Sequence, residues 1–130
     1  MARRRKKRIV SNGVKRILAY LITKNIPYKQ EFRIKECRDK LPLPFDFAIF
    51  KDKNLVLLIE YNGIQHFKSV RRFGGKKALN KQQSHDSIKT NFCIAHNIPL
   101  LIINYDQDNI EELCEEKFVD ILLIDATKGE

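Results

Sequence analysis

Several side chains that can do chemistry follow one apolar run in the middle of the chain. In the stretch LVLLIEYNGIQHF, residues 55–67, five apolar residues lead directly into Glu60, and Asn62, Gln65 and His66 follow within six positions. An ionised carboxylate is costly to bury unless it is paired or bound to a metal. Glu60 at the end of a core strand therefore indicates a functional group, with a salt-bridged strand end as the alternative.

A second carboxylate, that of Asp46, is expected beside Glu60. The polar tetrad KDKN, residues 51–54, predicts a short turn between a strand over 45–50 and a strand over 55–61. A turn centred near Lys53 places Asp46 opposite Glu60 on the antiparallel partner. Two carboxylates at one end of a hairpin form a hard-oxygen site that suits Mg²⁺, with Mn²⁺ as a substitute. On a basic surface, the expected co-ligand of that metal is phosphate.

The charge of the chain is unevenly distributed. Residues 106–130 contain nine acidic and two basic side chains, whereas residues 1–105 contain seven acidic and 23 basic ones. Counterion release from a phosphate backbone lets such a basic surface bind nucleic acid in a salt-dependent and largely sequence-independent way. We therefore expect nucleic acid as the partner, and a basic surface that only aids solubility is the alternative.

Two clusters of cations are the expected contacts to phosphate. Residues 1–10 are predicted to be a flexible basic arm, although a merely solvated tail would have the same composition. The second cluster lies in the segment after Gly63, which lacks periodicity through residue 83 and is predicted to be a glycine-containing mobile loop. The predicted contacts are Arg3, Arg4, Arg5, Lys6, Lys7 and Arg8 in the arm, and Lys68, Arg71, Arg72, Lys76 and Lys77 in the loop.

The elements that must position these side chains begin with a helix. Ser11 is predicted to cap an amphipathic helix that ends near Asn25. A strand over 28–35 follows, in which apolar and polar residues alternate, and the segment LPLPF from Leu41 is predicted to be a rigid loop. In the strand over 45–50, one face is expected to carry Phe45, Phe47 and Ile49, and the other Asp46 and Ala48.

After the hairpin, the pattern predicts a helix from Ser84, a buried strand over 100–105 and a last helix. The middle helix is expected to turn Ile88, Phe92 and Ala95 inward. Asn109 and Glu112 predict a capping box for the last helix, which continues through Leu122. Because a helical crossover precedes it, the fourth strand must be parallel to the third strand or not adjacent to it. The order indicates one α/β domain over residues 11–130 with a mixed sheet.

Length and composition fit this class. A chain of 130 residues is long enough to bury a hydrophobic core without disulfide or metal cross-links. Its three cysteines lack any spacing that indicates a disulfide framework or a zinc site. No apolar run reaches the length of a membrane span, and the basic N-terminus lacks the apolar region of a signal peptide. We expect a cytoplasmic protein, either prokaryotic or, if virus-encoded, in the host cytoplasm.

Three segments together resemble a known family. FDF at residues 45–47, LLIEYNGIQHF at 57–67 and HDSIKTNFCIAHNIPLLIINY from His85 are similar to the PD-(D/E)XK nuclease superfamily. They resemble its small branch related to very-short-patch mismatch repair endonucleases and to homing endonucleases. The resemblance covers roughly residues 28–105. It implies a restriction-endonuclease-like αβββαβ core, with a mixed central sheet flanked by helices, and the C-terminal helix adds to that core.

Carried over by position, the resemblance implies that Asp46 and Glu60 are metal ligands, with the backbone carbonyl of Tyr61 as a third. Asn62 stands where the superfamily usually has its catalytic lysine. That departure matters because an amide orients a water molecule but adds no positive charge. Lys89, one helical turn after Asp86, is the candidate for the missing cation.

The same branch implies a histidine base near the strand end, assisted by an acid on the following helix. His66 and Asp86 match those places, Gln65 is a candidate for orienting water, and Glu31 matches an additional acid from the first strand. Each has an alternative: His66 as an ordinary core or surface residue, Asp86 as a first-turn helix acid, Gln65 as a loop-backbone partner and Glu31 as a solvated strand residue.

The expected function is a Mg²⁺-dependent DNA endonuclease that hydrolyses phosphodiester bonds. Because no reader module is apparent, selectivity for a junction, mismatch or nick is favoured, and a homing-type activity stays open. The competing hypothesis is a non-catalytic nucleic-acid-binding module on the same fold, with Asn62 marking lost chemistry. A structural RNA-binding protein would share the charge but would not explain Glu60. Homodimerisation is a further hypothesis.

Overall fold

The computed structural model describes residues 11–121, which build a four-stranded mixed sheet and three helices. The predicted basic arm and Leu122 lie outside the described residues. In chain order the elements are α1 (Asn12–Thr23), β1 (Tyr28–Arg38), β2 (Pro42–Lys51), β3 (Asn54–Asn62), α2 (Gly75–Ala95), β4 (Leu100–Asn104) and α3 (Ile110–Asp120). The predicted α/β class and order of elements are confirmed, including the C-terminal helix.

The strands are ordered β1-β2-β3-β4 across the sheet. The first three are antiparallel neighbours, and β4 is parallel to β3, as expected for a strand that follows a helical crossover. Asp52 and Lys53, both at positive φ, form the two-residue turn between β2 and β3. The pairing of Phe47 with Ile59 then sets the register that places Asp46 opposite Glu60.

Helices cover both faces of the sheet and bury two apolar clusters. On the face covered by α1 and α3, the larger cluster includes Ile17, Leu21, Phe47, Ile49, Leu57, Ile59, Ile103, Ile110 and Phe118. On the face covered by α2, the smaller cluster contains Cys37, Phe45, Ala48, Leu58 and Cys93. Because successive strand residues alternate between these faces, β3 points Glu60 and Asn62 to the side of α2.

The prediction that Phe45, Phe47 and Ile49 share one face was wrong. Phe45 packs in the smaller cluster and Phe47 in the larger one, so β2 exchanges faces at Asp46. The neighbouring strand does the same, since Tyr28 packs against the larger cluster and Phe32 against the smaller one. Between them lies Glu31, whose positive φ of 49° is unusual for a residue other than glycine.

The start of α2 differs most from the sequence prediction. The segment predicted as a loop through residue 83 contains two short 3₁₀ turns, Ile64–His66 and Arg71–Phe73, but α2 already begins at Gly75. Gly74 and Gly75 both have positive φ, so the glycines mark the sharp entry into the helix and not a long loop. The first turn of α2 therefore holds Lys76 and Lys77.

Smaller corrections concern the ends of elements. The segment LPLPF is mostly strand, because β2 begins at Pro42, and β4 ends at Asn104. Asn109 makes no side-chain capping bond to α3, so the predicted capping box is absent. Ala95 is exposed, whereas Ile88 and Phe92 pack inward as predicted. Within residues 11–121, no helix is long and apolar enough to cross a membrane.

Candidate catalytic site

Asp46 and Glu60 lie together where the backbone ladder between β2 and β3 ends. The backbone N–H of Asp46 donates to Glu60 Oε1 at 2.9 Å, and the backbone N–H of Tyr61 donates to Asp46 Oδ2 at 2.7 Å. Elsewhere in the sheet, backbone N–H groups donate to backbone carbonyls. Beyond the pair of Phe47 with Ile59, the carboxylates of Asp46 and Glu60 take the place of those carbonyls as acceptors. The structure therefore brings together the two predicted metal ligands.

Glu60 is a buried carboxylate with a buried cationic partner. Its side chain is 7% exposed, that of Lys89 is 9% exposed, and Lys89 Nζ donates to Glu60 Oε2 at 3.0 Å. Lys89 Nζ also lies 5.5 Å from the ring centroid of Phe45. Burial, reinforced by the charge of Asp46, raises the pKa of Glu60 to about 7 despite the opposing effect of Lys89. Desolvation of the Glu60 carboxylate therefore outweighs its stabilisation by Lys89.

His66 and Asp86 form a second pair. Nδ1 of His66 lies 2.8 Å from Asp86 Oδ2, and the ring is buried. Since a carboxylate only accepts hydrogen bonds, Nδ1 carries the proton and Nε2 of the neutral ring is the basic nitrogen. Gln82 Nε2 donates to the other oxygen of Asp86 at 3.0 Å, and Gln83 Nε2 donates to the backbone carbonyl of His66 at 3.3 Å.

One stripe of α2 serves both pairs. Gln82, Asp86, Lys89 and Cys93 recur at helical spacing, so they lie on one face of the helix. Asp86 reaches His66 beyond the end of β3, and Lys89 reaches Glu60 within β3. The two carboxylates, the histidine and the lysine therefore form one site between the sheet and α2.

Asn62 has no positive charge to offer and lies at the edge of this site. It is buried, and its Oδ1 has no hydrogen-bond partner among the described residues. Asn104, its neighbour across the parallel strands β3 and β4, likewise has a buried Oδ1 without a partner in residues 11–121. Asn62 thus offers an amide, and the buried ammonium group beside Glu60 comes from Lys89 on α2.

Gln65 lies beside the site and lines a small surface pocket. Its Oε1 is close to Gly63, where an added Cβ would approach it to 2.5 Å. The pocket is also lined by Lys68, Phe73 and Gln82. Gln82 therefore has the pocket on one side and Asp86 on the other.

Glu31 is placed across the sheet from Asp46 but is exposed. It falls between the β1–β2 pairs of Gln30 with Phe47 and of Phe32 with Phe45.

The predicted contacts to nucleic acid lie partly within the described residues. Those that do are exposed and lie between β3 and the first turn of α2. They are Lys68, Arg71, Arg72, Lys76 and Lys77. The arm cations, Arg3 to Arg8, lie outside the described residues.

The donor set fits a hard divalent cation that keeps part of its water shell. The described residues contain no cluster of three or more His, Cys, Asp or Glu side chains that could share a metal ion. Mg²⁺, however, often binds proteins through only one or two carboxylates and retains several waters. Asp46 and Glu60 supply such a pair, since the backbone N–H of Asp46 donates to Glu60 Oε1 at 2.9 Å.

Sequence reasoning missed Gln82, Gln83 and Asn104. Because α2 was expected to begin at Ser84, both glutamines were assigned to a loop, where helical spacing does not apply. The signal was present in the spacing itself, since Gln82 precedes Asp86 by four residues. Asn104 becomes relevant only through the strand register, which pairs it with Asn62.

Comparison with known proteins gives little beyond the geometry. No protein-family model and no solved structure matches the chain. Over 57 residues it is 37% identical to uncharacterized protein 307L of Invertebrate iridescent virus 6. That match covers 43% of this chain and 29% of the viral protein, so the chain spans less than a third of this relative.

Proposed function

We propose that the protein is a Mg²⁺-dependent endonuclease that hydrolyses phosphodiester bonds in DNA. The observation that carries the proposal is the meeting of Asp46 and Glu60 beside a buried lysine and a histidine–aspartate pair. A cation held by the two carboxylates, with the carbonyl of Tyr61 as a further ligand, would activate water and stabilise charge on the reacting phosphate. The proposed fold is the restriction-endonuclease-like core, with α3 added to it.

In this proposal His66 handles the proton. Asp86 holds Nδ1–H, so Nε2 is the nitrogen that accepts a proton from water or returns it to a leaving oxygen. Gln65, on the same short turn, is proposed to orient the water through its amide. A base near a phosphate must be held in place, and burial of the ring achieves this.

Lys89 supplies the positive charge that Asn62 lacks. Its ammonium group donates to Glu60 Oε2 in a buried environment, where a positive charge stabilises nearby negative charge more strongly than it does in water. Asn62 then contributes an amide and not a charge. Glu31, exposed on β1, is proposed at most as an additional acid at the rim of the site.

The basic segment before and within the start of α2 is the proposed DNA contact. Lys76 and Lys77 lie in the first helical turn, where the helix dipole disfavours cations and no acidic residue compensates them. A phosphate backbone removes this unfavourable interaction and adds counterion release. The arm cations, Arg3 to Arg8, are proposed to act in the same way. Phosphate contacts position DNA without reading its sequence, so we favour a structure-selective substrate such as a junction, mismatch or nick.

The second candidate is a nucleic-acid-binding module without catalysis. It is favoured by Asn62, since the amide replaces the lysine at the strand position that the resembled nucleases use. On this alternative, the Lys89–Glu60 pair is a structural salt bridge that occupies the carboxylate, and DNA binds only through its phosphates.

Cleavage assays separate the two candidates. Supercoiled plasmid and branched DNA are incubated with the protein in Mg²⁺, Mn²⁺ or EDTA, beside Asp46→Asn and the control Asp52→Asn. Asp52 is the same residue type on the same hairpin but lies in the exposed turn. We expect metal-dependent cutting that falls by about 100-fold or more in Asp46→Asn and is retained in Asp52→Asn.

The assay has clear opposing outcomes. DNA binding by the wild type without cutting in either metal supports the non-catalytic module. Cutting that persists in EDTA, or that Asp46→Asn leaves unchanged, removes the proposed site and points to a contaminant or another centre. Because the Asp→Asn exchange keeps the size of the side chain, thermal unfolding of both variants verifies that they are folded.

A further inference from the structure

Asp86 is held by two partners, and only one of them is His66. We propose that Gln82 is a positioning residue that fixes Asp86 and, through it, the tautomer and direction of His66. The inference rests on the proposed function for its catalytic meaning, but its physical content concerns the metal-free protein alone. It gives a role to Gln82, whose side chain contacts Asp86, the partner of His66, and lines the neighbouring pocket.

Both oxygens of Asp86 are in use. Oδ2 accepts from His66 Nδ1 at 2.8 Å, and Oδ1 accepts from Gln82 Nε2 at 3.0 Å. A carboxylate with one bonded oxygen still rotates about its terminal torsion, whereas one bonded at both oxygens is confined to a single plane. Gln82 therefore restricts the orientation in which Asp86 meets the ring.

The type of the residue matters as much as its place. An amide donates a hydrogen bond without cancelling the charge of the carboxylate, so Asp86 stays available to stabilise a protonated imidazole. A lysine or arginine at this position would compete with His66 as the ionic partner of Asp86. The neutral donor thus separates two tasks: Gln82 sets the orientation, and Asp86 supplies the charge.

The helix makes this arrangement rigid. Gln82 and Asp86 are four residues apart on α2, so the hydrogen bond joins neighbouring turns of one helix. The next residue, Gln83, reaches the backbone carbonyl of His66 over a longer 3.3 Å and is exposed. It provides a matched control, because it is the same residue type, adjacent in sequence and in contact with the same histidine by a different atom.

The test is ¹⁵N NMR of the histidine rings in wild type, Gln82→Met and Gln83→Met. Methionine keeps the length and helix propensity of glutamine but cannot donate. In the wild type, the neutral His66 ring is expected as the Nδ1–H tautomer. In Gln82→Met we expect a mixture of tautomers for His66, while His85, which contacts Asp39, serves as the internal reference. Gln83→Met should keep the wild-type signal.

A kinetic measurement links the tautomer to the reaction. If cleavage is observed, Gln82→Met should lower kcat about tenfold or more and leave KM nearly unchanged, since it acts on the base and not on the DNA contact. Gln82→Lys should lower kcat as well, although it restores a donor. Gln83→Met should have little effect on either constant.

The two proposals fail separately. An unchanged tautomer for His66 in Gln82→Met overturns the positioning role, whatever the nuclease activity. Absence of cleavage in the wild type overturns the proposed function, while a tautomer that shifts in Gln82→Met alone still supports the positioning role. A shift of His85 as well as His66 indicates a general disturbance of α2 and counts against the inference.

Discussion

At the scale of single residues, Glu60 is a buried carboxylate whose ionised form is disfavoured by desolvation. Its ordinary environment would be water, yet it is almost fully buried, close to Asp46 and bonded to Lys89. Desolvation and the neighbouring carboxylate raise its pKa to about 7, and Lys89 offsets this only in part. Burial thus disfavours the ionised form of this carboxylate more than its ion pair with Lys89 favours it.

We predict a pH dependence of stability that belongs to Glu60. Because its pKa is raised on folding from 4.5 to about 7, the folded protein binds more protons than the unfolded chain between those values. The free energy of unfolding should therefore fall as the pH rises from about 4.5 to 7, by roughly 3 kcal/mol. Urea unfolding of wild type and Glu60→Gln across this range measures the difference.

Glu36→Gln is the control for that measurement, since Glu36 is an exposed glutamate on β1. Its pH profile should follow the wild type. If Glu60→Gln shows the same decline in stability as the wild type, the raised pKa of Glu60 is not its source.

The residues of the site were predictable to different degrees. The placement of Asp46 opposite Glu60 follows from a turn centred near Lys53, although the two-residue turn produces this register only together with a β-bulge between Ile49 and Phe50. Lys89 follows from its helical spacing with Asp86. Gln82 has helical spacing to Asp86, but that spacing is informative only if α2 begins before residue 82. The start of α2 is set by two glycines whose φ angles the sequence does not reveal.

At the scale of elements, the close packing of α1 on β3 holds the backbone that ends in the site. Gly13 on α1 is buried, and a Cβ added there would lie 2.2 Å from the ring of Tyr61. The backbone N–H of Tyr61 in turn donates to Asp46. The absence of a side chain at Gly13 thus allows the approach that keeps Tyr61, and with it Asp46, in place.

We predict that Gly13→Ala destabilises the protein by about 1–3 kcal/mol, although alanine is the better helix former. The reason is overpacking against an aromatic ring at the base of the sheet. Chemical denaturation measures the loss. Asn12→Ala, the exposed preceding position, should change stability by less than about 0.5 kcal/mol, and an equal loss in both variants would contradict the packing argument.

Strand faces show where period-two reasoning stops. The alternation predicted for β1 and β2 holds on each side of Glu31 and Asp46 but changes sign at those two residues. Glu31 has a positive φ inside a strand, but nothing about its residue type or its neighbours in the sequence predicts that conformation. The start of α1 was easier, since its cap Ser11, which accepts from the N–H of Val14, leaves a recognisable signature.

At the scale of the whole molecule, the described cations near the site concentrate at one end of β3 and the start of α2. The hairpin turn with Lys53 lies at the opposite end of β3, which separates two exposed basic surfaces on one domain. Only the first of these lies next to Asp46 and Glu60. The proposal therefore expects the lysines next to the site, and not those at the hairpin turn, to contact DNA.

We predict that DNA affinity falls steeply with salt and that Lys77→Ala reduces the slope of log affinity against log salt by about one. Lys53→Ala, at the far end of the hairpin, should leave the slope unchanged. Fluorescence anisotropy with a labelled duplex between about 50 and 200 mM salt provides the measurement. Equal reductions in both variants would mean that DNA binds without a preferred face.

The single stripe of α2 also decides which changes in chain length the site tolerates. One residue inserted between Asp86 and Lys89 would rotate the helix before it by about 100° relative to the helix after it. The contacts to His66 and to Glu60 could then no longer be made from one face, whereas added residues between Ser69 and Gly74 would leave both in phase. Insertions before the helix should therefore preserve the contacts of α2 to His66 and Glu60, whereas an insertion within the helix should break one of them.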